Sequence, residues 1–286
     1  MEVKDNTDLP ITHIYDDNFW DMLDRFKSIN FTQNKDLPLL NTVTKYPSIP
    51  TYQALGETGR LTESLQTTFE DDEIIFVTEK IDGTNARIIL INDSFIIGSR
   101  EELLYARGDL IGNPALGIVS ALSDIALLLL RNHLATMKYK HIAVYYFEVF
   151  GGKVSANSKQ YTGEQKVSFR CFDVADIDLY PLETMPIQKL AGWRESQESY
   201  QRYRGVVTPD TEIVPYIYTI QGKDMPKTIM DTYDWLKGIL PTTNVLLDEK
   251  GGGRPEGVVI RNKDRSKIVK IRFQDYQRTL GKGEKR

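Results

Sequence analysis

The spacing of apolar positions changes several times along the chain, and each change marks an element. Phe19, Met22, Leu23 and Phe26 fall at i, i+3, i+4 and i+7, which predicts a helix over Asn18–Ile29. Lys45-Tyr-Pro-Ser-Ile-Pro50 reads as extended, because prolines at 47 and 50 exclude a helix. Ile74–Thr78, Ala86–Ile91 and Phe95–Ile97 are short β-branched and aromatic runs that predict consecutive strands, with Asp82-Gly83 and Asn92-Asp93 as the turns between them. A helix is expected over Leu116–Met137, then strands at Ile142–Phe150 and Val167–Val174. A polar helical stretch over Leu182–Arg204 and a strand at Ile213–Ile220 follow.

Asp224-Met-Pro226 opens a further predicted helix that runs to Leu240, with the proline early, where its missing N–H costs little. Gly257–Arg261 and Ile268–Arg272 predict two last strands around a charged turn. Gly251-Gly-Gly253 lacks the lysine–serine sequel of a P-loop and reads as a flexible connector. Hairpins outnumber βαβ units in this order. The fold class expected is therefore α+β, built mainly from antiparallel sheets flanked by helices, and not a Rossmann-type sheet.

Composition narrows the class. A chain of 286 residues with 41 % hydrophobic and 27 % charged residues has enough apolar material for a core and is not wholesale disordered. One cysteine, Cys171, excludes a disulfide scaffold and reads as a small buried hydrophobe. His13, His133 and His141 have no metal-ligand spacing. The opening residues are acidic and polar, and the longest apolar run, Ile125–Leu130, is too short to cross a bilayer. A water-soluble cytoplasmic protein without a membrane partner is expected.

The net charge of −4 hides an asymmetry. Residues 1–79 carry fifteen acidic side chains against six basic ones, whereas residues 261–286 carry ten basic against three acidic. A basic end can bind phosphate locally on an acidic chain, although a solvated tail has the same composition.

Chemistry concentrates in five segments. Thr78-Glu-Lys-Ile-Asp-Gly-Thr-Asn85 puts a lysine at the end of a strand, ahead of an Asp-Gly turn. That pattern alone is weak. Tyr146-Phe-Glu-Val-Phe-Gly-Gly-Lys153 places Glu148 inside an apolar strand, where a carboxylate needs a partner or a ligand. Phe169-Arg-Cys-Phe-Asp173 is an aromatic strand, and Pro255-Glu-Gly-Val-Val-Ile-Arg261 starts a strand with Glu256. Val269-Lys-Ile-Arg272 presents two cations on one strand face. Taken singly, Phe169 and Phe172 read as core, and Lys270 and Arg272 as a solvent face.

Together and in this order, the five segments resemble the covalent nucleotidyltransferase superfamily of RNA ligases, DNA ligases and mRNA capping enzymes, whose catalytic domain is ATP-grasp-like. Lys45-Tyr-Pro-Ser-Ile49, Glu79-Lys-Ile-Asp-Gly-Thr-Asn85, Gly98-Ser-Arg100 and Glu148-Val-Phe-Gly-Gly-Lys153 are most similar to RNA ligases of the bacteriophage and kinetoplastid editing type. The likeness covers about residues 40–273.

The resemblance implies an ATP-dependent RNA ligase, with Mg²⁺ or Mn²⁺, that joins a 5′-phosphate RNA end to a 3′-OH through lysine–AMP. Lys80 is then the nucleophile. Only about one free lysine in a thousand is neutral at neutral pH, so its proton must be removed, and Lys270 and Arg272 are the expected positive neighbours. The resemblance further implies that Glu79 contacts the adenine amino group, Arg100 the phosphate, Glu148 the ribose, and that Phe169 stacks on adenine. Glu256 is the expected metal carboxylate, and Asn85 moves AMP to the nucleic acid. Asp82 stands where phage-type ligases have histidine and DNA ligases aspartate.

Two departures bear on that reading. Arg272 stands where the phage-type family usually has lysine, and only fourteen residues follow it, too few for an OB-fold or helical C-terminal domain. The organisation expected is an acidic extension over residues 1–36, a nucleotidyltransferase domain over 37–273 and a basic tail over 274–286. The grip on nucleic acid then falls to the tail, the extension or a protein partner. A small DNA-nick ligase and a non-catalytic nucleotide- or nucleic-acid-binding module on the same fold are the alternatives.

Overall fold

The β-branched and aromatic runs become ten strands in the computed structural model, which describes residues 41–42, 44–91, 94–104, 117–136, 141–178, 213–263 and 265–281. They are β1 (Gln53–Leu55), β2 (Leu61–Leu65), β3 (Ile74–Lys80), β4 (Thr84–Ile91), β5 (Ser94–Ser99), β6 (His141–Gly151), β7 (Val167–Asp178), β8 (Tyr216–Gln221), β9 (Gly257–Asn262) and β10 (Ile268–Arg272). Among the described residues they are accompanied by α-helices α1 (Ile118–Thr136), α2 (Ile229–Ile239) and α3 (Phe273–Leu280). The predicted helices at 18–29 and 182–204 lie outside the described residues. No helix among the described residues is long and apolar enough to cross a membrane.

The strands form two four-stranded sheets, ordered β10-β9-β3-β8 and β5-β4-β6-β7, plus the small hairpin β1-β2. Every pairing in the two larger sheets is antiparallel, as expected for an α+β chain. One expectation fails in an informative way. Asp82-Gly83 does not close a hairpin, because β3 pairs with β8 and β9, and β4 with β5 and β6. The dipeptide is the crossing between sheets. Gly83 is required there by proximity: a Cβ on it would lie 2.2 Å from the Val149 carbonyl oxygen.

Alternation explains the layers. Ile75, Val77, Val258, Ile260, Val269 and Ile271 point to one face of the first sheet and bury against Tyr233 and Leu236 of α2 and Tyr276 of α3. Ala86, Ile88 and Leu90 in β4, with Tyr145 and Phe147 in β6, pack with Leu122, Ala126 and Leu129 of α1. Each fully buried Ile, Leu or Val contributes about 1.5–3 kcal/mol, so these two faces carry most of the hydrophobic stabilisation. The opposite faces of the sheets are left to line a cleft.

Two further connections hold the sheets together. Residues 213–216 cross between them: Val214 N donates to the Cys171 carbonyl of β7, and Tyr216 then begins the pairing with β3. This crossing shortens the predicted strand, which starts at Tyr216 and not at Ile213. The second connection is ionic. Arg265, in the charged turn between β9 and β10, pairs with Asp173 of β7, and both side chains are fully buried. Tyr46 Oη donates to the same carboxylate at 2.9 Å, and Val174 N does so at 2.9 Å.

Other boundaries have local causes. Helix α2 begins after Thr228, whose hydroxyl accepts from Asp231 N at 3.1 Å, so Pro226 precedes the helix and is not in its first turn. Gly251-Gly-Gly253 is docked and not a free connector: Gly252 N donates to the Lys159 carbonyl at 2.8 Å and Gly253 N to that of Gln160 at 2.9 Å. The segment expected to open the basic tail is helix α3, with Phe273, Tyr276 and Leu280 turned to the core.

Candidate active site

Lys80 ends β3 on the face away from the core. Its cross-strand neighbour is Gly257, whose own neighbour on β10 is Arg272, and one step along the ladder Thr78, Val259 and Lys270 align in the same way. Cross-strand partners share a face, so the register places Lys80, Lys270 and Arg272 on one side of the sheet. Gly257 makes this line possible. Its φ is +156°, and a Cβ there would lie 2.0 Å from the Ile271 carbonyl oxygen.

The second sheet supplies the facing wall. Asn85 of β4 stands opposite Glu148 of β6, and Glu148 opposite Arg170 of β7. The two walls enclose a cavity of about 430 Å³, lined by Lys80, Asn85, Glu148, Arg100, Lys270 and Arg272 among others. Pro47, Ser48 and Ile49 close one side, held because Lys270 N donates to the Pro50 carbonyl at 2.8 Å. Thus the extended Lys45–Pro50 segment is part of the wall. Arg100 sits on the exposed rim, where it donates to Ser48 Oγ and lies 3.4 Å from Glu101.

The charge around Lys80 is the reverse of the expected one. Its Nζ donates to Glu256 Oε2 at 2.7 Å. Burial alone would lower the lysine pKa, but the carboxylates of Glu256, Glu148 and Asp82 outweigh it, and the ammonium is held above its ordinary range. In the unliganded protein the groups that shift this lysine most are thus carboxylates, and they favour its protonated form. Lys270 does feel positive neighbours. Burial first, then Arg272 and Lys80, lower its pKa. No ion pair to Lys270 occurs among the described residues.

Glu148 accepts from Gly83 N at 3.0 Å, which ties the sheet crossing to the cavity wall. Burial pushes its carboxyl up to about 7, with Lys80 opposing and Glu256 adding to the rise. Glu256 is likewise raised, by burial, against the pull of Lys80. Asn85 Oδ1 is buried without a hydrogen-bond partner, an acceptor that a ligand hydroxyl or amine would satisfy. Asp82 is not among the residues lining the cavity; its carboxylate accepts from Asn157 and its N–H donates to Tyr161 Oη at 2.7 Å.

Strand parity corrects one expected ligand contact, Phe169, and gives another, Glu79, its partners. Glu79 precedes Lys80 and so faces the other way, 1 % exposed. Its carboxylate accepts from Thr243 Oγ1 and, at 2.9 Å each, from N and Nδ2 of Asn244. It anchors the loop after α2 and, although turned from Lys80, also lines the cavity. Phe169 stands opposite Val149, on the face away from Glu148, and packs edge-on against Phe147 at 5.6 Å. It does not line the cavity.

The aromatic wall is Phe172. The β6–β7 register shifts between Tyr146 and Phe147, pairing them with Asp173 and Cys171 and leaving Phe172 as the extra residue of a bulge. The bulge turns the Phe172 ring toward Tyr46, at 4.8 Å, and into the cavity. A second lining residue missed from the sequence is Arg261, whose Nη1 donates to the Phe172 carbonyl at 3.4 Å. A third residue, Asp275, holds Arg272 in a two-pronged ion pair at 2.8 and 3.1 Å.

Glu256 was the expected metal carboxylate. Among the described residues no group of three or more His, Cys, Asp or Glu forms a metal site, and Glu256 is bonded to Lys80. Glu256 would be the carboxylate to hold a divalent cation there, and the cation would supply positive charge beside Lys80.

A family model for RNA ligase matches residues 73–273. Among solved structures, a Naegleria gruberi RNA ligase with PPi is similar at 15 % identity and a TM-score of 0.44, covering 83 % of this chain and 64 % of its own. An archaeal ATP-dependent RNA ligase is similar at 16 % identity and a TM-score of 0.44, covering 82 % and 49 %. The chain thus spans less than two thirds of the length of either. No curated protein matches it. The matched segment contains β3 to β10, with Lys80, Asn85, Glu148, Glu256, Lys270 and Arg272, and the chain belongs to the RNA ligase family.

Proposed function

We propose that this protein is an ATP-dependent RNA ligase in which Lys80 forms a bond to the α-phosphorus of ATP, pyrophosphate leaves, and the resulting lysine-bound AMP is passed to a 5′-phosphate RNA end that is then joined to a 3′-OH. The observation that carries the reading is the position of Lys80: a partly buried amine, on one sheet face with Lys270 and Arg272, in a cavity of about 430 Å³. That volume is in the range of small-molecule sites. Family membership supplies the reaction class.

The roles follow from placement. Lys270 and Arg272 face the phosphate chain and stabilise charge developing on the α-phosphate. Phe172 offers a flat apolar surface to the base, and Glu148 and the unpartnered Asn85 Oδ1 offer acceptors to ribose hydroxyls. Glu256 is the nearest acceptor for the proton that Lys80 must lose. A divalent cation at Glu256, Mg²⁺ or Mn²⁺, would supply the positive charge that favours the neutral amine. Residues 37–273, extended by α3, form the adenylyltransferase unit on this reading.

RNA ends are the proposed substrates, in RNA repair in the cytoplasm, where ATP is abundant and a lone buried Cys171 stays reduced. A protein partner supplying further grip on RNA belongs to the same proposal. Incubating the chain with α-labelled ATP and then with nicked duplexes carrying RNA or DNA at the 3′-OH tests it. Sealing of the RNA-ended nick is expected; exclusive sealing of the DNA-ended nick would favour the DNA ligase, and ATP binding without pyrophosphate release the non-catalytic module.

A further inference from the structure

Lys270 and Arg272 face the same cavity but are held differently. The Lys270 ammonium has no ion pair among the described residues, whereas Arg272 donates from Nε to Asp275 Oδ2 at 2.8 Å and from Nη2 to Oδ1 at 3.1 Å. Asp275 is 2 % exposed and sits in the first turn of α3, with Arg272 at the position that caps that helix. Among the described residues its carboxylate hydrogen-bonds only to Arg272.

This is fork-on-fork geometry, which a lysine cannot make. A guanidinium carries five N–H donors, of which two are used here. The other three, on Nη1 and Nη2, remain on a planar group whose rotation is stopped by a carboxylate that is itself fixed in a helix. The arginine in place of the family's usual lysine thus comes with a partner suited to arginine.

We propose that Asp275 is a positioning residue that sets the plane of the Arg272 guanidinium, so that its remaining donors face the α-phosphate held at Lys80. This rests on the adenylyltransferase reading above. Asp275 also offsets part of the Arg272 charge. Its removal should therefore leave attraction for the triphosphate intact or stronger while misaligning the donors, which affects rate and not binding.

The test is single-turnover adenylylation of the full chain by ATP for wild type, Asp275→Asn, Arg272→Lys and the double variant, with melting temperatures for each. Asp275→Asn is expected to lower the maximal rate about tenfold or more, with a KM for ATP that does not rise. The double variant should be no slower than Arg272→Lys alone, since a lysine has no plane to set. Asp275→Asn at the wild-type rate, or a double variant whose loss is the product of the single losses, overturns the proposal. If Asp275→Asn melts well below wild type, Asp275→Glu replaces it, and a rate no better than that of Asp275→Asn counts against positioning. The two failures are separable. A wild type that takes up no AMP defeats the adenylyltransferase reading, and a labelled wild type with an unimpaired Asp275→Asn defeats only the role of Asp275.

Discussion

Lys80 and Glu256, 176 residues apart in the chain, meet in an ion pair of 2.7 Å at the wall of the cavity. The pair exists because β3 and β9 run antiparallel with Lys80 opposite Gly257, which puts the residue before Gly257 beside the lysine head group. Its sign matters as much as its length. The carboxylate favours the ammonium form of the resting lysine, so the charge around it must change before it can act as a nucleophile.

Removal of that partner should therefore lower the Lys80 pKa. The folded value is raised, so the pair stabilises the protein at pH values below the ordinary lysine range of about 10.4, and this is lost as pH rises through the higher folded value. Glu256→Gln is expected to bring Lys80 titration, followed by pH-dependent modification with an amine reagent, to lower pH than in wild type. An unchanged or higher titration midpoint would contradict the assignment.

Glu148 gives a second pH signature of the same sense in a lower pH window. Burial raises its carboxyl to about 7 from an unfolded value near 4.5, so the folded state holds its proton more tightly than the unfolded one. That contribution to stability is full below about pH 4.5 and disappears as pH rises through 7. The melting temperature of Glu148→Gln, relative to wild type, should rise between pH 4.5 and pH 8. A flat difference would show that the carboxyl is not perturbed.

The aromatic assignment separates two neighbours. Phe172→Ala should raise the KM for ATP by about tenfold, since stacking on a base is worth about 1–3 kcal/mol. Phe169→Ala, on the other sheet face, should lower the melting temperature while leaving KM nearly unchanged. The reverse pattern would return the base to Phe169.

The inter-sheet ion pair is a stability prediction. Truncating Asp173 strands the fully buried Arg265 and should cost about 3–5 kcal/mol in urea unfolding. Replacing both residues with apolar side chains of similar volume should cost less than either single truncation. A fully additive double variant would mean that the two charges do not depend on each other.

Particular residues show what was legible in the sequence. The strands carrying Lys80, Glu148 and Arg272 were readable from β-branched runs, and their residue types from the buried chemistry they imply. Parity and register were not. Phe169 and Phe172 are equally good candidates until a bulge, which is a property of two paired strands, decides which ring enters the cavity. Glu79 reads from the sequence as a ligand contact only, and its anchoring of the loop at Thr243 and Asn244 depends on alternation, which turns it from Lys80. Asp82-Gly83 has turn chemistry, and the same two residues serve a crossing as well as a hairpin. Helix α3 did have a signal, Phe273, Tyr276 and Leu280 at i, i+3 and i+7, masked by the basic residues around it.

The most direct measurement is the intact mass of the chain after incubation with ATP and a divalent cation, followed by peptide mapping. The account predicts one added adenylyl group, located on Lys80, and none on Lys80→Ala. A wild-type chain of unchanged mass, or an adduct on any other residue, would contradict it.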